Sequence, residues 1–382
     1  MRSIRFIPFC LVAALFAAAA FTCRADTAVE TMRRLYDFTP VGPNNPVLAK
    51  VPDYGIEIPV SEFRAYVAGE VADAATRAAL PPAQRRHYLE ALLDEHFLLA
   101  NGYEQKADQT EGVAGMLKTT KAMLLEEAVT DQELKAPGNA SKDRDEVLNK
   151  FRDRLFGQMD IVVSNEAYAK LKAEAHRLNA ATGALTLLGK SAAPNSAGAT
   201  PQVSPDVAEV PLAHCKLGVI TIGDVLHTYL RQPLPERPDL DQQDGVIAVL
   251  KHMLGPDLMV GEARARGLEK SPMVREKMQL NRNVLTRLYA LDQLTAQATA
   301  QMKSPDIDAR LKEWYQANLK KLYTFPDKDG KEQVLPFDGN RERIADDYFQ
   351  NLQDRLRADL IRTLREKHKI EIDDAALAKA AL

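Results

Sequence analysis

The chain is poor in the residues that build redox and metal centres. It has 3 cysteines in 382 residues, and two of them, Cys10 and Cys23, fall in the first 25. Once that stretch is removed only Cys215 remains, which excludes an intramolecular disulfide framework. The histidines, at positions 87, 96, 176, 214, 227, 252 and 368, form no close pair on a helix face. There is no glycine-rich phosphate loop, nucleophile elbow or zinc motif, so no cofactor, metal or nucleotide is expected and no catalytic residue is assigned. Asp327, Asp329 and Gly330 in "DKDGKE" lack the remaining ligands of a calcium loop and read as a hairpin turn. A basic excess is missing too. The net charge is -3, and removing residues 1–25 leaves 47 basic against 53 acidic residues, which does not suit nucleic acid.

Long apolar runs are scarce as well. "FIPFCLVAALFAAAAF" follows Arg2 and Arg5 but is shorter than the roughly 20 residues that span a bilayer. With small residues up to Ala25 it reads as a secretory leader, residues 1–25, rather than a membrane anchor. Phe21 makes the approach to Cys23 a poor lipid-attachment site, although Cys23 leaves that question open. An extracytoplasmic location, the periplasm or its equivalent, is the expectation.

What is present is ordinary soluble composition, 46% hydrophobic and 27% charged, arranged in an internal repeat. At a constant offset of 161, Leu89 matches Leu250, Leu93 matches Leu254, Phe97 matches Leu258, Val113 matches Val274 and Leu124 matches Leu285. "IPVSEF" at 58–63 matches "ITIGDV" at 220–225, and "RLFGQMDIVVSNEAYAKL" from Arg154 resembles "TLREKHKIEIDDAALAKA" from Thr363. Three blocks thus recur in one order.

Each copy begins with alternating stretches that predict short strands, "VLAKV" and "GIEIPV" in the first, "VAEV" and "GVITI" in the second. Long helices follow. Leu89, Leu92, Leu93, His96, Phe97 and Ala100 give one apolar face. Gly267, Ser271 and Pro272 end one helix and begin the next, and "ADQTEG" marks the same place more weakly. In "LLDEHF", Asp94, Glu95 and His96 read as a solvated helix edge with His96 partly packed. The short strands "DIVV" and "KIEI" are expected to close their own copies, each pairing with the strands that open it.

The expected organisation is a leader (1–25), an N-terminal segment (26–46), a first module (47–178), a linker (179–207) and a second module (208–382). Within the linker, the 18 residues from Gly189 to Asp206 are rich in small residues and proline, and as a flexible coil would span roughly 23 Å. A last helix from Arg341 to about His368 would be about 42 Å long. Its apolar residues Ile344, Tyr348, Leu352, Leu356, Leu360 and Leu364, four apart, wind around it, so its two ends must face different neighbours.

"LPPAQRRHYLEALLDEHFLLANGYEQKA" after "GIEIPVSEF", and "MLGPDLMVGEARARGLEKSPMVREKMQLNRNVL", both resemble the N-terminal helical region of the SurA-like periplasmic chaperones, relatives of the parvulin-type peptidyl-prolyl isomerases. "SPDIDARLKEWYQANLKKLYTFP" resembles the segment that leads into the isomerase domain of that family. The resemblance implies a mainly α fold of two such helical modules, each with a few short β-strands closing its ends. It also implies an isomerase domain of about 90 residues before the last helix. Here the offset grows only from 161 to 209, so the second copy has 48 extra residues, too few, and its only non-helical piece, "YTFPDKDGKEQVLPF", lacks the family's glycine-rich stretch and paired histidines.

The expectation is therefore an exported, ATP-independent chaperone or foldase-like protein without its own isomerase domain, whose partners are unfolded or partly folded exported proteins. The alternatives are a dedicated assembly subunit of an envelope or secretion complex, and a divergent isomerase. Candidate client-binding residues are Trp314, Tyr315, Tyr323, Phe325, Met253, Met259, Met273 and Met278, since aromatic and methionine side chains adapt to irregular apolar partners. Any one of them also reads as core.

Overall fold

A computed structural model describes residues 42, 44–139, 142–187 and 202–382. The expected leader, nearly all of the N-terminal segment and residues 188–201 of the linker lie outside the described residues. The structure is mainly helical, 70% helix and 9% strand. In chain order the elements are β1 (Val47–Val51), β2 (Ile56–Pro59), α1 (Val60–Glu70), α2 (Ala74–Ala78), α3 (Pro82–Glu104), α4 (Glu111–Leu134) and α5 (Arg144–Gly157). Next come β3 (Val162–Val163), α6 (Asn165–Leu187), α7 (Pro205–Ala208), β4 (Pro211–Cys215), β5 (Gly218–Thr221), α8 (Ile222–Leu230) and α9 (Gln243–Ala265). The chain ends with α10 (Pro272–Met302), α11 (Ile307–Leu322), β6 (Thr324–Pro326), β7 (Glu332–Val334), α12 (Arg341–Lys367), β8 (Glu371–Ile372) and α13 (Asp374–Lys379). "VAEV" is not a strand. Ser204 and Pro205 start the short helix α7 there, and the strand begins only at Pro211.

The closing strands correct the expected pairing. β8 pairs antiparallel with β1, and β3 pairs antiparallel with β4, so each closes the other copy rather than its own. The two sheets, β2-β1-β8 and β5-β4-β3, have the same order and register. Ala49 faces Ile58 and Ile372 in one; Ala213 faces Ile220 and Val163 in the other. Both carry an irregularity at the start of the first strand, between Val47 and Ala49 and between Pro211 and Ala213. The helix breaks match as well. Lys106 and Gly267 both take left-handed backbone, with φ of 54° and 71°, and each is followed by one turn of 3₁₀ helix and a hydroxyl residue, Thr110 or Ser271.

The described residues divide into two compact units that interleave the copies: Thr119–Lys277 forms one, and the described residues up to Lys118 with Met278–Leu382 form the other. The boundaries fall inside α4 and α10.

In the unit formed by the two ends of the chain, the apolar face of α3 is its core. Leu89, Leu92, Leu93 and Phe97 are completely buried, against Leu48 and Ile58 of the sheet, Phe63 of α1, and Ile361 and Leu364 of α12. The apolar stripe of α12 does face two neighbourhoods. Ile344 packs with Tyr315 and Tyr323, and Tyr348 and Leu352 pack with Ala298 and Leu311. At the other end Leu360, Ile361 and Leu364 join the core under the β1–β2 sheet, which belongs to the first copy. Between α11 and α12 residues 323–340 hold only a two-stranded hairpin, β6–β7. Its turn is built by Asp327, whose Oδ1 accepts hydrogen bonds from the backbone N–H groups of Asp329 and Lys331, both within 2.9 Å, with Gly330 at φ 77°.

In the unit Thr119–Lys277, α5 packs on α9 and the β3–β4–β5 sheet is backed by α6 and α8. Thr221 and Asp224 form a reciprocal capping box at the start of α8. After the linker the chain is tied down by Glu174 of α6. This buried carboxylate accepts from Arg177 at 2.7 and 2.9 Å and from the Ser204 N–H at 2.6 Å. The Arg177 hydrogen bond, aided by Ser204 against the opposing effect of burial, holds its pKa down to about 2 from 4.5. Because the folded pKa lies below the unfolded one, the stabilisation is present above pH about 4.5 and is lost as the pH falls toward 2. Glu174→Gln is expected to be about 1.5–3 kcal/mol less stable than the parent at pH 7. Urea unfolding across pH 7 to 2 should show that gap closing, and a gap independent of pH would refute the assignment.

Candidate functional site

The helix break at Gly267 opens a groove. α9 stops at Ala265, the chain turns through Gly267 and the 3₁₀ turn Leu268–Lys270, and Ser271 restarts it by accepting at 3.3 Å from the Val274 N–H. α10 therefore leaves in a new direction, and a notch remains beside the end of α4. It encloses about 670 Å³ and is lined by Ala128, Ala136, Pro137, Leu268 and Met273, with Asp131, Gln132, Lys135, Arg266 and Ser271 around them. All belong to the unit Thr119–Lys277. The volume lies within the range of small-ligand and side-chain pockets.

The polar wall is cross-linked by Arg266. Arg266 donates to Glu133 at 3.1 Å, to Gln132 at 3.0 Å and to Glu262 at 2.8 Å, while its guanidinium lies 5.3 Å from the centroid of the buried Phe151 ring. Arg154 lies 5.1 Å from the same centroid. On the open side Lys135 pairs with Asp131 at 2.7 Å, an exposed contact worth little to stability that keeps charge at the rim. An apolar floor beneath a rim of fixed donors and acceptors can take one or two aliphatic or aromatic side chains of an extended chain and still hydrogen-bond its backbone.

Of the candidate residues, Met273 lines this groove. Met259 is completely buried in the same unit and cannot reach a client, and Met253 is half-buried on α9 outside the groove. Met278 and the four aromatics belong to the other unit. There Tyr315 and Tyr323 are core, at 6% and 0% exposed, which removes them from any client surface. Tyr323 Oη accepts from Trp314 Nε1 at 3.1 Å and donates to Asp347 at 3.1 Å, and Tyr315 Oη donates to the Leu335 carbonyl at 2.6 Å. The phenol of Tyr323 is pushed up chiefly by burial. These rings fasten the hairpin to α11 and α12. Only Phe325 is well exposed, with Arg343 stacked 5.6 Å from its centroid. Ala128, Ala136, Pro137 and Leu268 were not candidates, because small and common apolar residues carry no signal until a helix break places them together.

A second groove, of about 640 Å³, lies between α3 and α12 in the unit formed by the chain ends. Its walls are charged, from Glu90 and Asp94 to Arg357, Arg362 and Arg365, with Ala91, Ala358 and Ile361 beneath. Burial raises the Asp94 carboxyl, against the lowering effect of Arg365, which binds it at 2.6 Å.

No group of His, Cys, Asp or Glu able to hold a metal ion occurs among the described residues, and no helix there is long and apolar enough to cross a membrane. No protein-family model, curated protein or solved structure matches the chain.

Proposed function

We propose that the protein is an exported, ATP-independent chaperone that holds unfolded or partly folded envelope proteins, without an isomerase domain of its own. The observation that carries this reading is the groove at the Gly267 break, an apolar floor with Met273 and Leu268 beneath a fixed polar rim. Its chemistry suits many sequences because methionine and aliphatic side chains repack around different partners, while the rim serves the backbone that every client has. The resemblance of the two helical segments to the SurA-like family supports the same reading, and the short hairpin at 323–340 leaves the place of that family's isomerase domain filled by a single turn-linked strand pair.

The test is suppression of aggregation for several unrelated unfolded clients, run beside a proline-isomerisation assay on a short peptide. The protein is expected to suppress aggregation of all of them without accelerating isomerisation. Leu268→Glu with Met273→Glu, which puts two charges on the groove floor, is expected to weaken suppression several-fold with an unchanged helical circular dichroism spectrum. Lack of suppression together with one tight partner would replace the reading by a dedicated assembly subunit, and turnover above background by an isomerase.

A further inference from the structure

Gly255 and Pro256, the two residue types least suited to a helix interior, stand side by side in α9. The fold asks for neither. A Cβ on Gly255 would meet nothing within 4 Å, so no close approach requires a glycine, and α9 runs on from Gln243 to Ala265. Pro256 has no amide hydrogen, so the His252 carbonyl lacks the donor that an α-helix supplies four residues later. The repeat shows what else this place can hold. At the offset of 161, Asp94 and Glu95 of α3 match Gly255 and Pro256, and at the offset of 209 Arg365 of α12 matches Phe156 of α5. There Arg365 binds Asp94 at 2.6 Å and donates to the Glu90 carbonyl at 2.9 Å, and Glu95 holds Arg357 at 2.7 Å, so the charges are spent on one another. Between α5 and α9 the same place is a pocket of about 350 Å³. Phe156, Leu155 and Leu258 make an apolar floor that Gly255 leaves uncovered. Lys251 is taken by Asp153 at 2.7 Å, its ammonium 5.6 Å from the Phe156 centroid. The other polar lining residues, Asn149, Arg152 and His252, make no side-chain hydrogen bond or ion pair among the described residues.

We propose that this pocket binds the C-terminal residue of a polypeptide whose last side chain is apolar. The lining fixes that choice. With Lys251 and Asp153 cancelling, Arg152 leaves the rim one uncompensated positive charge, and a guanidinium is best matched by a carboxylate. The His252 carbonyl needs an N–H donor, and the floor needs an apolar group. A chain's last residue carries all three on one Cα: the carboxylate for Arg152, with Asn149 and His252 beside it, the backbone N–H for the carbonyl, and the side chain for the floor. An internal apolar residue brings no charge, and an aspartate or glutamate no apolar side chain. The volume, at the lower end for ligand pockets, suits one residue rather than an extended segment. Capture of a C-terminal carboxylate by fixed donors is a recurring mode of peptide recognition. The pocket shares no lining residue with the Gly267 groove, and the claim goes beyond the chaperone reading.

The test uses the full chain and a short glycine–serine peptide, fluorescein-labelled at its N-terminus and ending in leucine, followed by fluorescence anisotropy. The same peptide amidated at its C-terminus, and one ending in glycine, are the comparisons. The parent is expected to bind the free acid about ten-fold more tightly than the amide, the worth of one charge-assisted hydrogen bond, and the glycine-ended peptide more weakly than the leucine-ended one. Arg152→Gln, an exposed change, should bind acid and amide alike, at the parent's affinity for the amide. Gly255→Asp with Phe156→Arg sets the sibling copy's ion pair across the floor, and should weaken the acid about ten-fold while keeping the circular dichroism spectrum. If that variant fails to fold, Arg152→Gln decides alone. No binding of the acid by the parent, equal binding of acid and amide, or an Arg152→Gln variant that still prefers the acid overturns the proposal. The variant with Leu268→Glu and Met273→Glu should bind the acid like the parent. A parent that prefers the acid but suppresses no aggregation would leave this site standing and the chaperone reading fallen; suppression without acid preference would do the reverse.

Discussion

Gly102→Ala is expected to destabilise the unit formed by the chain ends by about 2–4 kcal/mol, the cost of overpacking against a backbone that cannot retreat. A Cβ on Gly102 would lie 2.6 Å from the Thr286 carbonyl oxygen and 2.8 Å from Thr286 Cγ2. Gly102 lies in the last turn of α3 and Thr286 in the interior of α10. Their crossing is fastened by Tyr103 Oη donating to Asn283 Oδ1 at 2.5 Å and accepting from Gln279 Nε2 at 3.3 Å. One helix must move away from the other to admit a methyl group, and those bonds stretch as it does. Thr286→Ser removes Cγ2 but not the carbonyl, so the double variant should recover only the smaller part of the loss. The matched position in the other copy is Ala263, fully buried, where the reverse change, Ala263→Gly, should cost about 1 kcal/mol from helix propensity. Urea unfolding of the three variants checks the set. A Gly102→Ala variant within 0.5 kcal/mol of the parent would mean the two helices are not packed at this distance.

The repeat, the helix break and the winding stripe of α12 were legible because each is a local pattern: a fixed offset, a glycine before a hydroxyl and a proline, apolar residues every fourth position. The exchange of strands was not. Val162–Val163 and Glu371–Ile372 are two-residue strands, and the hairpins that receive them share one register, so either hairpin could accept either strand. What decides between them is the unbroken course of α4 and α10, which contain no reversal at Thr119 or Lys277 that would bring the chain back to its own opening strands. The groove was half legible. Met273 was a candidate, but the aromatic group read beside it proved mostly core, since "EWYQANLKKLYTF" does not reveal that a hairpin folds back over Tyr315 and Tyr323.

Glu95→Leu is expected to be the other large loss, about 3–5 kcal/mol, because it removes the shared counter-charge of two arginines inside the fold. The segment "LLDEHF" reads in sequence as a solvated helix edge with His96 partly packed, and the structure corrects that for Asp94 and Glu95: Asp94 is engaged by α12, Glu95 by α10 and α12, and His96 by α1. Asp94 binds Arg365, His96 binds Glu62 at 2.7 Å, and Glu95 is held by Arg357 at 2.7 Å and closely by Arg287. The side chains of Glu95 and Arg287 are 13% and 12% exposed, so water screens this pair poorly and added salt should relieve little of the loss. The carboxylate joins α3, α10 and α12, three helices drawn from both copies, and a leucine there leaves their mutual charge uncompensated although its volume fits. Glu95→Gln keeps the shape and hydrogen-bonding atoms and should cost about 1.5–3 kcal/mol. Adding Arg287→Leu to Glu95→Leu should restore part of the stability, since an apolar pair of similar size often replaces a buried ion pair without loss. A double-mutant cycle in urea measures the coupling, and strictly additive losses would show that Glu95 and Arg287 contribute to the junction independently.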